Sequence, residues 1–256
     1  MARPRTTLTV QHTEWLSPHL IRVHLGGPGF AAFQTNEFTD AYVKFIFERD
    51  GIEVLRTYTV RSVDRDAGQI AADFVYHGAE GIAGPWAAAV QPGETIDMYG
   101  PGGAYSPRAD ADWHLLAGDE AALPAIAAAL EAMDPAAVGY AFVEVAGPDD
   151  ELPLQKPAGI ELTWLHRGTQ SPGEVLAESV RKAPWRDGQV QVFIHGEAQA
   201  VMHDMRRYVR RERGVTAEWA ASISGYWRRG RTEEGFREWK AELKAKDTVD
   251  AAPASS

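Results

Sequence analysis

Apolar and polar residues alternate through most of the first hundred positions, in short runs broken by Gly, Pro or Asp. The runs are "TTLTV", "LIRVHLGG", "AYVKFIFE", "EVLRTYTVRS", "QIAADFVYH" and "ETIDMYG", all rich in β-branched or aromatic residues. Six short strands at this spacing predict a closed antiparallel barrel. One helix-like stretch, "PWAAAV", falls before the last of them.

After residue 112 the period changes. "WHLLAG" is followed by "LPAIAAALEAM", where Leu123, Ile126, Ala127 and Leu130 share a helical face and Pro124 suits the first turn. "VGYAFVEVAG", "IELTWLH", "QVQVFIHG" and "AEWAASISGYW" read as strands, "GEVLAESVRK" and "EAQAVMHDMRRYVRRER" as helices. Strands alternating with helices predict βαβ units and a parallel sheet. The linker "YGPGGAYSPRADAD" sets the boundary, giving a barrel over 1–105, an α/β domain over 106–246 and a disordered tail over 247–256. Ligands of such sheets lie beyond the carboxyl ends of the strands, so a cleft between the domains is expected.

Composition narrows the function. A net charge of −10 disfavours nucleic acid as a partner. The absence of cysteine excludes disulfides, thiolate zinc sites, a built-in iron–sulfur cluster and cysteine catalysis. No apolar run reaches membrane-spanning length and the N-terminus lacks a signal-like apolar region, so no membrane association and a cytoplasmic location are expected. The eight histidines are scattered and form no metal-binding motif.

Three stretches carry candidate chemistry. In "VLRTYTVRS", Val54, Arg56, Tyr58 and Val60 fall on one strand face, with Arg56 and Tyr58 about 7 Å apart. An Arg fork can hold a phosphate and a Tyr ring can pack on a flat heterocycle. A barrel strand with an Arg stem laid on apolar neighbours fits the spacing equally well. Thr59 points to the other face, and reaches the same ligand only if the strand bends or ends there. "HGAEGIAGPWAA" places glycines at 78, 81 and 84 before a helix start, a geometry for anions or for an ordinary turn. "LLAGDEAALPA" and "FIHGEAQAV" share a strand, glycine, acid, helix plan. Asp119 and Glu120 would repel phosphate, so they are expected to point away from it or to meet hydroxyls. "SGYWRRGR" sets Tyr226 and Trp227 beside three arginines.

"RTYTVR", the "HG..G.AG.WA" loop, "YGPGG", "GDEAALPAI", "HGE" and "SGYWRRGRTEEGF" together resemble the siderophore-interacting proteins, flavin-dependent ferric-siderophore reductases of the ferredoxin-reductase-like superfamily. The resemblance runs from about residue 5 to about residue 240 and implies an FAD-binding barrel followed by an NAD(P)H-binding α/β domain. It implies that Arg56 holds flavin phosphate, that Tyr58 flanks the ribityl and ring, and that Thr59 bonds near the reactive ring nitrogen. Val60 and His77 belong to the same surround. Gly81, Ala83, Gly84 and Trp86 would form the pyrophosphate loop, though the family often has a hydroxyl residue where this chain has Gly84.

Gly118, Asp119, Glu120, Ala122, Leu123, Pro124, Gly196 and Glu197 would line the nicotinamide site. Arg167 would meet the 2′-phosphate of NADPH, with NADH also possible, and Tyr226 and Trp227 would close the ring pocket. Lys44, Arg228, Arg229 and Arg231 would receive an anionic ferric siderophore. Electrons then pass from NAD(P)H through FAD to Fe(III), with no protein acid or base. A flavin reductase serving ferredoxin or an oxygenase, and a siderophore-binding protein that reduces nothing, are the competing readings.

Overall fold

The computed structural model describes residues 5–231 and Gly235, so the tail expected at 247–256 lies outside the described residues. Seven antiparallel strands form the N-terminal sheet: β1 (Arg5–Ser17), β2 (Leu20–Gly26), β3 (Tyr42–Arg49), β4 (Ile52–Thr59), β5 (Ser62–Asp64), β6 (Gln69–Val75) and β7 (Thr95–Gly102). Their order across the sheet is β4-β3-β7-β1-β2-β6-β5. The two outermost strands, β4 and β5, are consecutive in the chain and separated only by Val60 and Arg61. So short a link reaches about 10 Å, and the sheet must therefore roll until its edges meet.

The hydrogen bonds show the seam. The Val60 amide donates to Ala41 beside β3 (2.7 Å), and the next amide, Arg61, donates to Ala71 of β6 (2.8 Å). Six strands were expected. The seventh arises because "EVLRTYTVRS" divides where it crosses from one sheet edge to the other. Phe45, Phe47, Phe74 and Met98 fill the barrel, and Trp86 packs on them from α1 (Ala83–Ala89).

The second sheet is wholly parallel: β8 (Trp113–Gly118), β9 (Val138–Val145), β10 (Gly159–His166), β11 (Val190–Glu197) and β12 (Ser222–Trp227), in the order β10-β9-β8-β11-β12. Strands β8, β9 and β11 are buried almost throughout because helices cover both faces. On one face lies α2 (Leu123–Ala132). On the other lie α3 (Glu174–Lys182) and α4, whose segments Gln199–Met205 and Tyr208–Glu212 are wound as π-helix. Strand order reverses between β8 and β11, and that switch point opens a crevice at their carboxyl ends.

The two halves are tied together. Asp150 accepts from the Ser17 hydroxyl (2.9 Å) and pairs with the His19 ring (2.9 Å), Arg61 pairs with Glu131, and Tyr105 packs on Phe193 with ring centroids 4.7 Å apart. Among the described residues, no helix is long and apolar enough to cross a membrane.

Candidate functional site

The "RTYT" stretch ends β4 at the barrel seam. Cross-strand register pairs Arg56 with Phe45 and Tyr58 with Val43, so both side chains share the face of the aromatic core. The Tyr58 ring lies 4.2 Å from that of Phe74, and Arg56 donates to the Leu55 carbonyl (2.8 Å). Thr59, which is buried, pairs with Tyr42 on the opposite face, and β4 stops there. Val60 turns into the barrel core. Lys44 stands on the same outer face as Tyr42, across from Thr57 and Tyr99, and so does not share a face with Arg56 and Tyr58.

The glycine loop follows β6. His77 is exposed, with its ring 6.5 Å from that of His19. Gly81 carries an open backbone at φ 82°, and its carbonyl accepts from Arg49 (3.1 Å). Helix α1 starts at Ala83, two residues before Pro85, where the sequence places the helix start. Trp86 stacks into the barrel, 5.4 Å from Phe74 and 5.6 Å from Phe47, rather than standing in the loop. A Cβ at Gly84 would lie 2.8 Å from the Val75 carbonyl oxygen, so this position seats α1 against β6. Gly84→Ser is therefore expected to cost about 1–3 kcal/mol of stability by overpacking. Urea unfolding checks this; a variant as stable as its parent would show that α1 lifts freely.

At the switch point, three acids do the work of caps and clamps. Asp119 is 1% exposed and accepts from the Glu197 amide (2.9 Å), the Trp227 indole (2.7 Å) and the Ala121 amide (3.0 Å). It joins the ends of β8, β11 and β12. Burial pushes its carboxyl up to about 7, Glu120 and Glu144 add repulsion, and the indole and Ala121 donors oppose the rise. Gly196, at φ 145°, leaves room for this carboxylate, since a Cβ there would lie 2.7 Å from it. Glu197 accepts the Gln199 (2.6 Å) and Ala200 (3.1 Å) amides at the start of α4.

Glu144, fully buried, accepts the Gly173 (2.9 Å) and Leu176 (3.2 Å) amides at the start of α3. It was missed in the sequence, where the only signal is one acid inside the apolar run "FVEV".

The structure places two further sets of expected site residues. Arg167 is not an open anion site: it pairs with Glu120 (2.7 Å) and Glu144 (3.3 Å), and these partners hold its charge. Leu123 and Pro124 are buried in the first turn of α2, with Ala122 at its N-cap, and Gly118 and Glu120 are buried at the turn before it.

Arg228 and Arg229, expected to receive the iron complex, stand at the end of β12. They line a cavity of about 390 Å³ with Ser171, Gly173, Glu197 and Gln199, beyond the carboxyl ends of β11 and β12. Arg229 donates to the Ser171 hydroxyl (3.3 Å) and Arg228 to Gln199 (3.2 Å). Arg231 is exposed at the chain's far side of this turn and donates to Gly235 (3.4 Å). Tyr226 meets His195 at 4.4 Å, and its phenol is raised by burial and then by Asp40, Asp119 and Tyr42. Tyr226 packs on the core cluster that contains Leu20 of β2, Tyr105 and Phe193. A guanidinium, a phenol and a hydroxyl in succession, then an open glycine loop, form a donor set suited to a flavin dinucleotide.

This pairing of a barrel with a parallel α/β unit is that of a two-domain flavin-nucleotide reductase fold. The chain belongs to the siderophore-interacting protein family: the family profile "Siderophore-interacting protein" matches residues 111–230 and "Siderophore-interacting FAD-binding domain" matches 9–55 and 48–105. An uncharacterized protein of Mycobacterium tuberculosis is 53% identical over 94% of this chain and 96% of its own length. Ferric vibriobactin reductase ViuB of Vibrio cholerae is 31% identical, covering 88% of this chain and 90% of its own. The crystal structure of the siderophore-interacting protein SipS from Aeromonas hydrophila superposes with a TM-score of 0.83 at 31% identity, over 95% of this chain and 99% of that one.

Proposed function

We propose that this chain is an FAD-dependent reductase that draws electrons from NADPH, in preference to NADH, and delivers them to the Fe(III) of a siderophore in the cytoplasm. The observation that carries the reading is the tie between the barrel and the parallel sheet, with Tyr105 packed on Phe193 of β11 and His19 paired with Asp150. The similarity to ferric vibriobactin reductase supports the choice of substrate.

In this reading Arg56 binds flavin phosphate, Tyr58 packs along the ring and Thr59 offers its hydroxyl at the ring edge. The Gly78 to Gly81 loop lends backbone amides to the pyrophosphate. When bound, the flavin supplies the conversion of a two-electron donor into single electrons for ferric iron. Arg228 and Arg229, with Ser171, hold the 2′-phosphate of the donor. Lys44 draws the anionic chelate to the outer face of β3. Hard oxygen ligands hold Fe(II) less tightly than Fe(III), so reduction loosens the iron without any protein acid or base.

Anaerobic titration of the FAD-loaded protein with NADPH should bleach the flavin absorbance. A ferric chelate should then restore it, and oxidised ferredoxin should not. Restoration by ferredoxin alone would overturn this reading.

A further inference from the structure

Asp119 joins three strand ends, and among the described residues no cation pairs with it. Its charge is met by donors alone. Oδ2 accepts the Glu197 amide (2.9 Å) and the Trp227 indole (2.7 Å), and Oδ1 accepts the Ala121 amide (3.0 Å). The titratable groups around it are mostly acids: Glu120 on the same turn, Glu144 on β9 and Glu197 on β11. Arg167, the cation at a neighbouring strand end, is held by Glu120 and Glu144. His195 and Tyr226, whose rings lie 4.4 Å apart, complete the surround. Burial, with repulsion from Glu120 second, pushes the Asp119 carboxyl up to about 7, so it gains and loses a proton near neutrality. Hydrogen bonds to a charged acceptor are roughly twice as strong as those to a neutral one, so a proton weakens all three. Two of the donors are backbone amides, fixed by β11 and by the turn into α2. The indole is a half-buried side chain on the last residue of β12, and it is the partner that can turn away. Trp227 is followed directly by Arg228 and Arg229, which line the cavity of about 390 Å³. The Arg229 amide donates to Glu197 at 3.3 Å, so the indole bond is the shorter of the two that run from this turn to the strand-end acids.

We propose that Asp119 is a positioning residue of the coenzyme site: its carboxylate holds Trp227, and with it Arg228 and Arg229, in place for a phosphate, and a proton on Asp119 lets the indole go. The proposal rests on the reading of that cavity as the 2′-phosphate site and adds its regulation. Asp119 acts through the turn that carries the arginines, not by contact with the phosphate. Because its folded value is raised, the group is ionised only above about pH 7, where the turn is fixed and the phosphate is held well. Below that pH the carboxyl is neutral, the turn loosens and the phosphate is held less well.

Nitrogen-15 labelling of the tryptophans in the FAD-loaded protein gives each indole its own NMR cross-peak, and Trp227→Phe identifies the one that belongs to Trp227. In the parent this peak is expected to move with a midpoint near pH 7, and in Asp119→Asn to stay in place; a thermal melting curve shows that the variant is folded. Calorimetric titration with adenosine 2′,5′-bisphosphate, which carries the 2′-phosphate without the nicotinamide, is then run on both sides of the midpoint. On passing to the acid side the parent should lose about fivefold more affinity than Asp119→Asn, the effect of about one hydrogen bond. The loss seen in the variant reports protonation of the phosphate itself. A Trp227 peak indifferent to pH in the parent, or one that titrates unchanged in the folded variant, overturns the proposal even if the bisphosphate binds. Equal acid losses in parent and variant overturn the positioning role. A titrating Trp227 peak in a protein that takes up no bisphosphate at either pH sinks the coenzyme reading instead, and leaves the Asp119–Trp227 bond standing as the pH-sensitive tie.

Discussion

Asp119→Ala is expected to lower the unfolding free energy by about 3 kcal/mol, because it strands one buried and two partly buried donors at once. The Glu197 amide, the Trp227 indole and the Ala121 amide all point at this carboxylate. The pH dependence should identify the group. Its folded value, about 7, lies above the ordinary 3.8. Between about pH 4 and about pH 7 the folded protein therefore keeps a proton that the unfolded chain has released. Stability attributable to Asp119 is fully present below this window and falls as pH rises through it, at up to about 1.4 kcal/mol per pH unit. Asp119→Asn keeps an acceptor for the amide and the indole but cannot ionise, so it should flatten that slope. Denaturant midpoints measured from pH 4 to pH 8 decide the matter: an unchanged slope in the Asn variant would exclude Asp119 as its origin.

Replacing Arg228 and Arg229 together with Ala should raise the KM for NADPH by about 10- to 100-fold, the loss expected for hydrogen bonds to a charged group. The KM for NADH should move far less, so the ratio of the two kcat/KM values collapses. Arg167→Ala should behave differently. It removes the cation between Glu120 and Glu144, both nearly inaccessible, and should destabilise the fold by about 3–5 kcal/mol while leaving the coenzyme ratio alone. If Arg167→Ala instead changed coenzyme preference in a stable protein, the assignment of the two arginine sites would be reversed.

The two arginine sites also show where reading a sequence stops. Arg167 follows a strand, and as a sequence feature it is simply a cation at a strand end. Its partners lie 47 and 23 residues away at neighbouring strand ends, and no local pattern announces them. Alternation did reveal barrel strands such as β1 and β3, which bury one face, whereas β6 is buried on both. The division of "EVLRTYTVRS" was hidden because Val60 and Arg61 carry no Gly or Pro; closure of the sheet imposes it. The π-wound α4 was legible as a helix but not in its winding, which composition does not encode. The shared face of Arg56 and Tyr58 was legible in their two-residue spacing, and Thr59 falls on the opposite face.

The barrel seam has a thermodynamic consequence. A cylinder stitched by two successive amides, one to each edge, has a single line along which it can unzip, and Thr59 borders that line. Any ring seated against Tyr58 and Thr59 binds the closed form and not the open one. If the flavin binds there as proposed, cofactor uptake and closure of the barrel would be one linked equilibrium.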